Sequence, residues 1–381
     1  MLIRMVLILL LAAVTLQQHA HGQFVRTEVT LPDIPGYTTL MCDFHTHTVF
    51  SDGNVWPSVR VDEAWSQGYD AIAVTDHIEY QPHREYIPTR HNASYEIARP
   101  RGEETDLIVI RGCEVTRVMP PGHLNAIFIE DASLIETERI ADMFARDRGR
   151  GAFLDSIDGR HQDYLLALRE AVRQKGFIFW NHPGWKPQAK QGIKLWDVHR
   201  DLIAKGWIRG IEVANWDTWY PEAFRWCLEY NLAMLGNSDV HETEEIYEKK
   251  ARIKHRPVTL VFARERSGGA VREALDSART AVWFDDTVLG PEALLRPLVA
   301  AAITTKGPFF IDGEGTRYYS MRNRTDLPVT MADSATGERL DLLPRSSVVT
   351  KLKEHVKERT FSVTNFLVGP SDTLSLQLRF D

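Results

Sequence analysis

The chain predicts an α/β fold, a parallel (β/α) barrel followed by a small C-terminal antiparallel β domain. Three observations carry this. From about Leu40 to Asp285, runs of Val, Ile, Leu and Phe alternate with amphipathic stretches, as in strands covered on both faces by helices. Several of these runs end in His, Asp or Glu, which gathers ligating groups at one rim, where an α/β barrel keeps its chemistry. After Leu289-Gly290-Pro291 the text changes to short alternating strands punctuated by Gly, Pro, Asn and Asp.

Taken in order, the first segment reads as a secretory signal over residues 1–22. Arg4 supplies the positive start, Val6–Val14 the apolar stretch, and Ala20-His21-Gly22 a small-residue cleavage site before Gln23. The apolar run is too short to span a bilayer. The expected product is exported, periplasmic or secreted, with no membrane span once the signal is removed.

The barrel is expected over residues 23–290, with strands at Thr39–His45, Ala71–His77, Leu107–Val115, Leu124–Ile129, Phe177–Asn181, Gly210–Ala214, Ala233–Gly236, Val258–Phe262 and Ala281–Phe284. Between them, Ser58 can cap a helix through Gln67 that carries Val61, Ala64 and Trp65 inward and stops at Gly68. Tyr164–Lys175, Trp196–Lys205 and Glu222–Tyr230 repeat the helical pattern. Glu79–Glu104 and Asp131–His161 are long excursions of the kind that cover a barrel mouth. Residues 291–381 open with a helix, Leu294–Thr304. Strands follow at Tyr318–Arg322, Val329–Met331, Val348–Leu352, Phe361–Phe366 and Leu374–Phe380, a β-sandwich-like set.

Bulk properties narrow the function. The chain has 381 residues, 44% hydrophobic and 25% charged, with a formal charge of -7 and no long basic run, so a nucleic-acid polymer is not the expected partner. Three cysteines, Cys42, Cys113 and Cys227, make no disulfide framework and read as buried small hydrophobes, although a Cys42–Cys113 bridge is sterically open if their strands adjoin.

Nine side chains form the chemical signal: His45, His47, Asp52, His77, Glu114, His123, His182, Asp239 and His241. His45 and His47 are two apart on a strand and face the same way. Glu114 and Asp239 lie on other strands and can complete or bridge a metal site, because one carboxylate can hold two cations roughly 3.5–4 Å apart. Imidazole mixed with carboxylate suits Zn, Mn or Fe better than Mg or Ca. Asp76 reads either as a ligand or as a group that orients one. Thr48, Asn181 and Asn237 read as hydrogen bonders, and His199 and His255 as core histidines.

The segments DFHTHTVFSDG, VTDH, GCEVT, GHLNAIF, WNHPGW and NSDVHE resemble the motif signature of the PHP family (polymerase and histidinol phosphatase) over Asp43–His241. The resemblance implies a distorted seven-stranded (β/α) barrel and two to three divalent metal ions. By motif, His45, His47, Glu114 and Asp239 would hold a first metal. Glu114, His123 and His182 would hold a second, and His77, His241 and Asp52 a third. Many relatives place a His near the position of Asp52. The C-terminal β segment lies outside the family core.

The expected activity is hydrolysis of a small phosphomonoester or phosphodiester through a metal-bridging hydroxide, with Glu114, Asp239 and His241 at the reacting centre. Arg117 reads as a phosphate-binding group or as an ion pair, and Arg84, with His83 and Arg90, as a lid candidate. Trp185, Trp216, Trp219 and Tyr220 can form an apolar wall. Two other classes fit the same text. One is an amidohydrolase-like enzyme acting on a non-phosphate substrate, against which Glu114 stands where a carbamylated lysine would be needed. The other is a non-catalytic, metal-containing binding protein. Oligomeric state is not written in the sequence.

Overall fold

The computed structural model describes residues 25–88, 90–135, 164–353 and 356–380. The signal segment and most of the second excursion lie outside the described residues. No helix among the described residues is long and apolar enough to cross a membrane.

Among the described residues, eleven strands precede the C-terminal segment: β1 (Thr38–Thr46), β2 (Ala71–Val74), β3 (Ile108–Val115), β4 (Leu124–Ile127), β5 (Phe177–Trp180), β6 (Ile208–Asn215), β7 (Thr218–Trp219), β8 (Ala233–Asn237), β9 (Val258–Ala263), β10 (Thr280–Phe284) and β11 (Thr287–Leu289). All nine predicted strand runs are present. Their pairing is mixed rather than parallel: β1–β2–β3 and β5–β6–β8 are parallel, while β4 is antiparallel to both neighbours and β9 is antiparallel to β1 and β10. The connection from β3 to β4 explains one reversal, since Thr116–His123 is too short for the crossover that a parallel neighbour needs. The end of β1 and the loop after β8 also meet at an isolated bridge between Thr46 and Val240, where His47 N–H donates to Val240 O and Asp239 N–H to His45 O.

Helices lie at Pro57–Ser66, Ala93–Thr105, Tyr164–Arg173, Asp197–Ala204, Pro221–Tyr230, Glu244–Lys250, Gly268–Asp276 and Glu292–Ala302. The first starts at Trp56 with Pro57 in the leading position, so Ser58 is not its cap; Pro at that position loses no needed N–H. The first long excursion contains the helix Ala93–Thr105, which its interior Pro100 and weak apolar stripe conceal in the sequence. Gly102 is required there: a Cβ would stand 2.4 Å from Val109 Cγ2 and 2.7 Å from Leu107 O.

The C-terminal segment adds β12 (Ile303–Ile311), β13 (Arg317–Asn323), β14 (Val329–Asp333), β15 (Arg339–Leu342), β16 (Ser347–Leu352), β17 (Glu358–Leu367) and β18 (Thr373–Arg379). β12, β13 and β16 form a separate antiparallel sheet. β14, β15, β17 and β18 extend the main sheet through a parallel pair between β17 and β11. One buried cluster contains Leu260 and Phe262 of β9, Leu298 and Val299 of the last helix, and Met321, Phe361, Val363 and Leu376, so the two regions share apolar packing. All three cysteines are free and buried, so no Cys42–Cys113 bridge forms.

Candidate metal centre

The nine predicted ligands converge at one end of the strands. His45 and His47 leave the end of β1 on the same side, as the two-residue strand period requires. His45 Nε2 lies 3.1 Å from His47 Nε2, 3.1 Å from Glu114 Oε2 and 3.2 Å from Asp239 Oδ1. His47 Nε2 lies 3.2 Å from Glu114 Oε2 and 3.1 Å from Asp239 Oδ1. Ligands held 2.0–2.1 Å from a tetrahedral zinc stand about 3.3 Å from one another. Five of the six distances among these four atoms therefore lie close to that spacing.

Glu114 turns its other oxygen to a second group. Its Oε1 is 2.6 Å from His123 Nδ1 and 3.8 Å from His182 Nε2, and Asp239 Oδ2 is 3.9 Å from the same His182 nitrogen. Neither Glu114 Oε1 nor His123 Nδ1 is aligned for a hydrogen bond, although both are buried. Buried polar atoms left this way are costly, and a cation between them would satisfy both. A third group joins His47, Asp52, His77 and His241, with Asp52 Oδ1 3.0 Å from His241 Nε2 and 3.4 Å from His77 Nε2. Gly53 lets this loop close, since a Cβ there would lie 2.6 Å from Thr48 N.

Electrostatics suit cation binding. Burial pushes His123 down to about 4, so at neutral pH the ring is neutral, as ligation demands. Burial would also raise Glu114, but the imidazoles of His77, His45 and His123 hold its carboxyl well below the usual range. Burial opposes a charge on His45, yet the carboxylates of Asp239, Glu212 and Glu114 hold its pKa well above the ordinary value, so a cation bound at Nε2 would displace a proton from the ring. His182 and Asp239 carry left-handed backbones, with φ of 26° and 54°. That conformation costs non-glycine residues on the order of 1 kcal/mol or more and is tolerated where a site needs the direction.

Residues that sequence reading did not assign hold these ligands. Glu212 on β6 is fully buried. Its Oε1 accepts from His45 Nδ1 at 2.8 Å and Asn237 Nδ2 at 3.0 Å, and its Oε2 from the His182 backbone N–H at 2.7 Å and Asn215 Nδ2 at 2.9 Å. It ties a ligand of the first group to one of the second and leaves His45 Nε2 facing its partners. Asp43 accepts from Ser238 Oγ at 2.5 Å and from the backbone N–H of His45 and Ser238. Arg60, also fully buried, donates to the carbonyls of His47, His241 and Glu242 and to Glu63. A charged residue inside an apolar strand was the available signal for Glu212 and Asp43. Arg60 sits beside Val61 on a helix and left no such mark.

Asp76 takes the orienting role. It accepts from Thr48 N–H, Thr48 Oγ1 and Ser51 Oγ and belongs to none of the three ligand groups. Thr48, Asn181 and Asn237 are hydrogen bonders as read: Asn181 Nδ2 donates to Asn125 Oδ1, and Asn237 Oδ1 accepts from Phe44 N–H. His199 is a core histidine, stacked 3.8 Å from Trp180 with Nε2 donating to Pro121 O. At Arg117 the structure displays the ion pair of the two readings: it is buried, with Nη1 donating to Glu79 and to Thr116 O. Arg84 is exposed on the turn after Gln81. Of the four aromatic residues, Trp185 borders the site, its ring 5.5 Å from His123 and 5.4 Å from His182, while Trp216 packs edge-on to Tyr247.

Residues 43–176 match the family model described as the PHP domain. An uncharacterised protein of Methanocaldococcus jannaschii is 41% identical over 213 residues, covering 54% of this chain and 83% of that protein. A crystal structure from Bacteroides vulgatus, of a two-domain protein containing a predicted PHP-like metal-dependent phosphoesterase, superposes with a TM-score of 0.82. It is 39% identical and covers 94% of this chain and 100% of that one, so the likeness includes the C-terminal segment.

Proposed function

The chain belongs to the PHP domain family, and from that premise we propose that it is an exported metal-dependent phosphoesterase acting on small phosphomonoesters or phosphodiesters. The observation that carries the reading is Glu114, whose two oxygens address different histidine groups, Oε2 facing His45 and His47 and Oε1 facing His123. The donor sets fit divalent cations. His45, His47, Glu114 and Asp239 would hold one, Glu114, His123 and His182 a second, and His77, His241 and Asp52 a third. When bound, such ions polarise a phosphoryl oxygen, neutralise its charge and lower the pKa of water toward neutrality.

The protein's own part is positioning and shielding. Glu212, Asp43 and Arg60 hold the ligand loops, and the burial of His45, His47 and Glu114 keeps bulk water from the centre. Trp185 gives the second group an apolar border. His241 stands at the more exposed side. Burial opposes its charge, but Asp52 and Asp239 raise its pKa above the ordinary value; with the third cation absent its ring could pass a proton to a leaving oxygen, and as a ligand it could not. Export rests on Arg4, the apolar run and the small-residue site before Gln23.

The test is elemental analysis of the purified mature protein together with phosphate release from matched mono- and diesters. Two to three transition metals per chain with release from one ester class is the expected result. Glu114→Gln should lose metal and turnover together. Full activity in that variant would sink the bridging role, and metals without release from any ester would favour a non-phosphate substrate.

A further inference from the structure

A cavity of about 250 Å³ lies against the loops that carry His123 and His182; its lining includes Val118, Met119, Pro183, Gln188, Lys190, Lys194 and Trp196. Pro183 directly follows His182. On the other side, Gly122, which directly precedes His123, packs against Met119 and Gln188: a Cβ there would stand 2.7 Å from Met119 Cε and 3.1 Å from Gln188 Oε1. The cavity lining thus reaches the chain neighbours of both histidines of that group, and neither histidine lines it. Gln188 pins its wall by donating to Arg117 O at 2.8 Å, while its Oε1 is buried without a hydrogen-bond partner.

Charge singles this recess out. In a chain of net charge -7, residues 183–196 carry Lys186, Lys190 and Lys194 and no Asp or Glu. Among the described residues no acidic side chain lines the cavity, and Lys190 and Lys194 do. Lys194 Nζ lies 5.4 Å over the Trp196 ring, so a cation and apolar surface occur side by side. The volume lies below the range usual for drug-sized ligands, which limits the occupant to a small group.

Resting on the phosphoesterase reading, we propose that this cavity receives the leaving group of the substrate, and that the leaving group is compact, apolar in body and bears a second anion, carboxylate or phosphate. The metal-ligating groups address the scissile phosphate, and the lysines address the far end.

The experiment compares phenyl phosphate, 4-carboxyphenyl phosphate and 1,4-phenylene bisphosphate on the full mature chain, wild type and Lys190→Glu/Lys194→Glu. Wild type should favour the anion-bearing esters in kcat/KM by about tenfold, mainly through KM, as expected for charge-assisted contacts at a partly exposed site. The double substitution should erase that preference while phenyl phosphate turnover and metal content stay as they were. A larger gain for the bisphosphate than for the carboxylate identifies phosphate as the anion. Equal kcat/KM across the three esters, or a preference that survives the double substitution, overturns the proposal. Calorimetry with 4-hydroxybenzoate separates the two readings. Binding to wild type but not to the variant, without hydrolysis of these esters or of their methyl diester counterparts, removes the phosphoesterase and leaves the anion pocket. Hydrolysis without binding or preference removes the pocket alone.

Discussion

Glu212→Gln is the sharpest perturbation, because it changes one atom and preserves shape. The carboxylate accepts four hydrogen bonds, from His45 Nδ1, Asn237 Nδ2, His182 N and Asn215 Nδ2. A glutamine puts an NH2 where one of those oxygens stood, and an NH2 only donates. Facing the Oε2 partners, it opposes the His182 backbone N–H, which has no alternative role. Facing the Oε1 partners, it opposes His45 Nδ1 and drives the proton to Nε2, the atom that points at Glu114 and Asp239. Either placement degrades a ligand. Loss of such an orienting carboxylate typically costs 10–100-fold in metal affinity, about 1.4–2.8 kcal/mol. Competition titration against a chelator measures this directly, with circular dichroism to verify folding. A folded Glu212→Gln chain with metal affinity within twofold of wild type would refute the argument that Glu212 sets the state of His45.

Two further outcomes follow from buried groups that are not themselves ligands. Replacing Arg60 with Met strands the Glu63 carboxylate and the carbonyls of His47, His241 and Glu242; breaking one side of a buried ion pair costs roughly 3–5 kcal/mol, to be read by urea unfolding, and a loss below about 1 kcal/mol would show that the loops do not depend on it. His199 has its pKa pushed down to about 4 by burial, below its unfolded value near 6.5. The unfolded chain therefore binds more protons between those values, and stability falls as pH drops from about 6.5 to 4, by roughly 3 kcal/mol from this group. Urea midpoints across that range should show a shallower acid limb for His199→Gln than for wild type, and parallel limbs would assign the acid sensitivity to other groups.

The site was more legible than the frame around it. Ligands announced themselves because imidazoles and carboxylates are rare at the ends of apolar runs, and local spacing alone puts His45 and His47 on one side of β1. The strands were visible for a related reason: burial on both faces leaves continuous apolar text. The helix Ala93–Thr105 was not, since Pro100 and a weak stripe erase the usual period and its stability comes from packing on β3, where Gly102 meets Val109. Strand direction was hidden as well. It depends on how the links lie in space, and β4 reverses the pairing although its composition matches its parallel neighbours.

The sequence by itself determined which side chains could ligate, the pairing of His45 with His47, the strand runs that deliver the ligands, and the change of pattern after Gly290. The family motif anticipated how they are shared, and tertiary structure alone set the distances. That Glu114 faces two histidine groups, that Asp52 meets His77 and His241, and that Arg117 turns to Glu79 are distances between residues far apart in the chain. The same holds for Glu212, whose chemistry is ordinary in the text and becomes an orienting role only when β1, β5, β6 and β8 bring His45, His182, Asn215 and Asn237 to its two oxygens. Residue type sets what a group can bind, but only the packed sheet sets what stands within hydrogen-bonding reach of it.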